Sequence, residues 1–269
     1  YFRSGKKCCC TFICEYGSLY GIVSSRIDKN GFERKRNFMI QISNLSKKYG
    51  ETVVFSDLNY TFENACIYGL VGRNGAGKTT LLNILSNYDK NYTGVISIDR
   101  KKMNKVDYLD MPVAYAMDQP SFFNELTIYE NLLLIASSRK IKKQEAFDKI
   151  ERILDGLGLK KYENYSPLEL SKGTMQRLNN ACAMIQEEKI TIFDEPFSGL
   201  DPVQMKLLEN VIVEFHKKEK GIYIISSHDI ECLQNVCDKC LLLHNGQIRE
   251  INMEEVDREE IAKILSEGE

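Results

Sequence analysis

Residues 72–79, GRNGAGKT, fit the pattern G-x-x-x-x-G-K-[ST]. In such a run the glycines let the backbone fold closely around a phosphate, and successive N–H groups at a helix start favour its negative charge. Lys78 then reaches the β- and γ-phosphates of a nucleotide, and the Thr79 hydroxyl takes a place on Mg²⁺. The bland alternative is a glycine-rich turn before an ordinary helix. It is weakened by what flanks the loop, a continuous apolar run (ACIYGLV, 65–71) and the helical pattern of TTLLNILSNY. Gly72, Asn74, Gly75, Ala76, Gly77, Lys78, Thr79 and Thr80 are therefore the candidate nucleotide contacts.

A phosphate loop alone hydrolyses nothing. The run KITIFDEP (189–196) supplies a carboxylate pair where an apolar strand ends. Asp194 can hold Mg²⁺ there, and Glu195 is placed to orient or deprotonate an attacking water. A plain turn signal is the alternative, since Asp, Glu and Pro are common at strand ends. A third stretch, LSKGTMQR (170–177), sets a hydroxyl and a glycine ahead of a helical pattern, where backbone N–H groups suit an anion.

These loops need elements to hold them. MIQISNL and VVFSDLNYTF alternate apolar and polar residues, which predicts half-buried antiparallel strands. Further on come strand patterns in GVISID, VAYAM, KITIFD, GIYIISS and GQIREI. Helical patterns run over 128–137, 144–157, after Ser171 and over 203–218. Alternation of this kind predicts an α/β fold with a mostly parallel sheet covered by helices, next to an antiparallel β lobe.

Composition bounds the function. The chain has 269 residues, 43% of them apolar, and a net charge of -2. That length and apolar content bury a full core, and the charge argues against an electrostatic grip on nucleic acid. No apolar run approaches the ~20 residues needed to span a bilayer. Of nine cysteines, Cys66, Cys182 and Cys232 lie in apolar periodic contexts, as small buried hydrophobes in a reducing compartment do. Cys237 and Cys240 have the spacing of half a zinc site, yet no second pair stands at a suitable distance, so they read as structural thiols.

Residues 1–38 show neither period and carry eight Lys/Arg against three Asp/Glu. A secretory signal is rejected because Glu15 stands just after the short apolar stretch Cys8–Ile13 and export would part the protein from cytosolic nucleotide. The segment, with its KKCCCTFIC run, reads as a non-native or disordered leader, and Met39, just after ERKR, as the native start. The functional domain is expected over 39–269.

Taken in order, the motifs resemble the ATP-binding cassette (ABC) ATPases, the nucleotide-binding subunits of ABC transporters, over residues 39 to about 250. The resemblance implies a P-loop NTPase core and a helical lobe at about 120–172. It matches Tyr49 in KKYG to the aromatic that stacks on adenine, Gln119 in MDQP to the glutamine that contacts Mg²⁺ and water, and LSKGTMQR to the family signature. SGLD (198–201) matches the D-loop and His228 in SSHD the switch histidine. Alone, Tyr49 reads as a strand-edge aromatic, Gln119 as a surface amide and His228 as a satisfied polar residue. In the family, the signature serine and helix start grip the γ-phosphate bound to the other cassette, which assigns that contact to Ser171 and Gly173. Lys172 and Thr174 depart from the commoner signature. Lys172 is tolerable because backbone groups do the gripping.

The resemblance implies ATP and Mg²⁺ as cofactors, a separate transmembrane permease, a second cassette on ATP binding, and a peripheral place on the cytoplasmic face of the membrane. The SKG variant and the short stretch after GQIREI lean toward export of a drug, peptide or similar substrate. A soluble, non-transport ABC ATPase, such as one for iron–sulfur cluster assembly, is the alternative. A catalytically dead cassette is opposed by Lys78, Asp194, Glu195 and His228.

Overall fold

The computed structural model describes residues 38–106 and 110–252. The leader reading, but for its last residue, falls outside them, as does the stretch beyond 252.

Alternation in the first strands has the expected result. β1 (Met39–Tyr49) and β2 (Thr52–Glu63) pair antiparallel, with Ile40 opposite Phe62 and Ile42 opposite Tyr60. Ile40, Ile42, Leu45, Phe55, Leu58 and Phe62 all turn to the core. Five further strands were expected to follow, and one of them belongs elsewhere. β4 (Thr93–Ile98) joins β1 in antiparallel pairing, and β5 (Lys101–Lys102) completes that sheet in the order β2-β1-β4-β5. Only Ile96 and Ile98 of β4 are buried, the half-buried habit of an antiparallel strand with one wet face.

The second sheet contains β3 (Cys66–Val71), β6 (Val113–Ala116), β7 (Ile190–Phe193), β8 (Ile222–Ser227), β9 (Lys239–His244) and β10 (Gln247–Ile251). Its order is β10-β9-β3-β8-β7-β6, with parallel pairing except between β9 and β10. Every residue of β3, β7 and β8 is buried, because both faces are covered. One face packs on the antiparallel sheet and α1 (Lys78–Leu85). The other carries α4 (Lys172–Met184), and a shared core joins it to α2 (Ile128–Ser138), α3 (Lys143–Gly156) and α5 (Pro202–Glu219). β9 has no counterpart in the sequence reading; its run of three leucines follows the cysteine pair that drew attention instead. Cys240 is in that strand with its thiol in the core, where burial pushes its pKa up to about 12.

Side-chain caps fix where α2 and α5 begin. Thr127 and Glu130 form a capping box ahead of α2, and Asp201 accepts the Gln204 N–H ahead of α5. The turn between α4 and β7 then anchors α2 and α3 to the sheet. Arg139, at the end of α2, donates to Gln186 Oε1 at 2.8 Å and pairs with Glu188 at 3.0 Å. Lys149 of α3, fully buried, pairs with Glu187 at 2.6 Å and with Glu219 of α5 at 3.5 Å. Burial lowers the Lys149 pKa despite these carboxylates. Removing one partner of a buried pair leaves the other charge uncompensated. Lys149→Ala should therefore destabilise the fold by about 3 kcal/mol in urea unfolding. A loss under ~1 kcal/mol would place this pair among surface ion pairs instead.

Candidate functional site

The strand order brings the chemistry together. Because β8 lies between β3 and β7, the carboxyl ends of three adjacent parallel strands carry residues 72–79, 194–201 and 226–229. Two of the phosphate-loop glycines, Gly72 and Gly77, leave no room for a side chain. Gly77 is left-handed at φ +100°, and a Cβ there would stand 2.7 Å from Val54 Cγ1 and 3.0 Å from the Phe55 ring. A Cβ on Gly72 would be 2.8 Å from the Leu243 carbonyl oxygen. Lys78 folds back over this loop. Its ammonium donates to the Gly72 carbonyl at 2.7 Å and lies 3.4 Å from Glu195 Oε1.

Asp194 has no exposure to water. Ser226 donates to its Oδ1 at 2.6 Å, the Tyr115 hydroxyl stands 3.4 Å from its Oδ2, and the Thr79 hydroxyl is close enough to favour its charged form. Burial raises the Asp194 pKa, and the hydrogen bonds from Ser226 and Thr79 only partly offset that. Glu195 takes a left-handed backbone at φ +48°. Its N–H donates to Ser226 Oγ at 2.9 Å, and its carbonyl accepts from Gln176 at 3.3 Å. Its carboxylate reaches His228 Nδ1 at 2.9 Å on one oxygen and Lys78 on the other.

Of the residues singled out from sequence, the structure joins Lys78, Thr79, Asp194, Glu195 and His228 into one cluster. The others lie around it. Ser171 caps α4, its Oγ accepting the Thr174 N–H at 3.3 Å, and Lys172 beside it is exposed. Gly173 packs on the 198–201 loop, where a Cβ would meet the Gly199 carbonyl oxygen at 2.9 Å. Tyr49 stands half-exposed at the tip of the β1–β2 hairpin, its hydroxyl donating to Asp89 at 3.1 Å and the Lys47 ammonium 4.4 Å from its ring centre. Gln119 is exposed on the loop after β6. Ser226, Tyr115 and Gln176 were not read from the sequence. The serine pair ahead of His228 was the one available signal.

The donor set suits a hard divalent cation. Thr79 and Asp194 offer oxygen at the mouth of the phosphate loop, and the buried carboxylate is short of compensating charge.

The pattern of the ABC transporter family matches residues 55–198, which contain the phosphate loop, the α4 cap and the carboxylate pair. The chain belongs to that family. It is an ATPase of the ABC transporter type. The chain is similar to the bacitracin transport ATP-binding protein of Enterococcus faecalis, with 30% identity over 223 residues, 82% of this chain and 71% of the relative. The tungstate uptake system ATP-binding protein of Peptoclostridium acidaminophilum is 30% identical over 211 residues, 78% of this chain and 97% of its own length. A solved ATP-binding subunit of an ABC transporter superposes with a TM-score of 0.74 at 26% identity, covering 85% of this chain and 95% of that one.

Contact between Gly173 and Gly199 makes the helix start of this ABC ATPase dependent on the loop that follows Glu195. Gly173→Ala should push the two apart and lower ATP hydrolysis at least ~10-fold, since small misplacements at such sites cost heavily. Circular dichroism should show the fold retained. Full activity in the alanine variant would show that the contact is not needed.

Proposed function

We propose that this ABC ATPase powers export of a drug, peptide or similar substrate through a separate transmembrane permease, working with a second cassette. The observation that carries the hydrolytic part is the meeting of Lys78, Thr79, Asp194, Glu195 and His228 at the ends of β3, β7 and β8.

In this reading the residues 72–80 receive the phosphates of ATP, with Gly72, Asn74, Gly75, Ala76 and Gly77 offering backbone and Thr80 continuing the helix start. Lys78 pairs with the β- and γ-phosphates. Tyr49 receives the base on its ring. Thr79 and Asp194, with the Gln119 amide, hold Mg²⁺, which when bound neutralises phosphate charge as the leaving group departs. Glu195 orients the attacking water and accepts its proton, while His228 holds the carboxylate from the other side. The 3.4 Å contact of Lys78 with Glu195 keeps the two groups within reach of one γ-phosphate. Ser171 and Gly173 meet the γ-phosphate held by the opposite cassette, so hydrolysis waits on two cassettes closing.

Among the described residues no helix is long and apolar enough to cross a membrane; in this reading the membrane path belongs to a separate permease and the chain sits on its cytoplasmic side. Similarity to the bacitracin transport protein supports a substrate of that kind, and the departures at Lys172 and Thr174 lean the reading toward export. The tungstate uptake relative matches at the same identity, so direction is the part to be measured.

The test uses the chain reconstituted with its permease in vesicles whose cassettes face outward. ATP outside should drive substrate into the lumen, which corresponds to export. Lys78→Ala should abolish both transport and most ATP affinity. Movement of substrate out of the lumen would reverse the direction, and undiminished ATP binding by the alanine variant would refute the role given to Lys78.

A further inference from the structure

The two consecutive serines at the end of β8 do different work. Ser227 turns to the next loop, where its Oγ accepts the Asp229 N–H at 3.0 Å beside His228. Ser226 is fully buried and faces the neighbouring strand. In the β7–β8 register Phe193 stands opposite Ile225, so the next residue of each strand brings Asp194 and Ser226 together.

We infer that Ser226 is a positioning residue for hydrolysis, one hydroxyl that both orients the Asp194 carboxylate and holds the backbone of Glu195. The inference rests on the roles given above to those two residues. A serine hydroxyl has one proton and two lone pairs. Here the proton goes to Asp194 Oδ1 at 2.6 Å, a short charge-assisted bond, and a lone pair takes the Glu195 N–H at 2.9 Å. With Oδ1 tied to Ser226, Oδ2 is left for the side where Tyr115 stands. The second bond matters because Glu195 occupies a left-handed backbone at φ +48°, which a residue with a side chain enters only under constraint. Ser226 holds its N–H and Gln176 its carbonyl, so the peptide on either side of Glu195 is fixed and the carboxylate swings from a set point between Lys78 and His228. Alanine at 226 would leave the partly buried Glu195 N–H without this partner and release one carboxylate oxygen at once.

Ser226→Ala, Ser226→Thr and Asp194→Asn, each in the full chain, separate the possibilities. ATP binding is titrated with and without Mg²⁺, the Mg²⁺ concentration at half-maximal effect is recorded, and kcat is taken at saturating Mg²⁺. Ser226→Ala should raise the Mg²⁺ midpoint and lower kcat, each by about 10- to 100-fold, as loss of a hydrogen bond behind a metal-binding carboxylate does elsewhere. Metal-free ATP affinity should stay the same, and Ser226→Thr should recover most of both losses. If Asp194→Asn moves the Mg²⁺ midpoint and Ser226→Ala leaves midpoint and kcat as in the parent, the inference about Ser226 is overturned while the site reading stands. If Asp194→Asn also leaves the midpoint in place, the reading of Asp194 fails and the inference with it. A Ser226→Ala loss that tracks only a lower Tm, unrescued by threonine, would make the serine structural and overturn the inference as well.

Discussion

A carboxylate removed from water organises this molecule. Asp194 ends β7 with no exposure, and an isolated charge in such a place costs several kcal/mol unless hydrogen bonds replace the lost solvent. The replacements come from different elements: Ser226 from β8 and the nearby Tyr115 hydroxyl from β6, with Thr79 of α1 close enough to favour the charged form. Satisfying one buried charge therefore ties three strands together beside the phosphate-loop helix. The same bonds leave the site electrostatically prepared for a divalent cation, because they only partly offset the cost of burial.

Close glycine packing carries that order outward. Gly77 and Gly246 both press on Val54 and Phe55, so the antiparallel sheet is clamped between the phosphate loop and the β9–β10 turn. The clamp determines where the hairpin tip, with Tyr49, stands relative to α1. On the far side, Gly173 touches Gly199, joining the start of α4 to the loop beyond Glu195. In the proposed reading, closure of a second cassette on Ser171 would thus be felt at Glu195 through backbone contacts and through its bond from Gln176.

Much of this was legible because it is local. The phosphate loop is one continuous run, and the apolar strand before Asp194 and Glu195 announces where their side chains emerge. Periodicity placed α2, α3 and α5 within about a residue or two, as helix patterns with caps do. What could not be read is what depends on partners distant in sequence. GVISID looks like any strand, and its antiparallel seat beside β1 follows from only one of its faces being buried. Ser226 is indistinguishable from Ser227 until the register shows which one meets Asp194. The anchoring of Arg139 and Lys149 on residues 186–188 joins residues some forty positions apart, beyond any local pattern.

The central claim is that Glu195 cleaves ATP at a site completed by a second cassette. Glu195→Gln keeps the reach toward His228 and Lys78 and removes the base. Size-exclusion chromatography with light scattering on that variant is the most direct measurement. The account predicts a dimer that forms with uncleaved ATP, dissociates with ADP, and is lost when Ser171→Arg is added. Normal ATP hydrolysis by Glu195→Gln, or a dimer indifferent to Ser171→Arg, would contradict it.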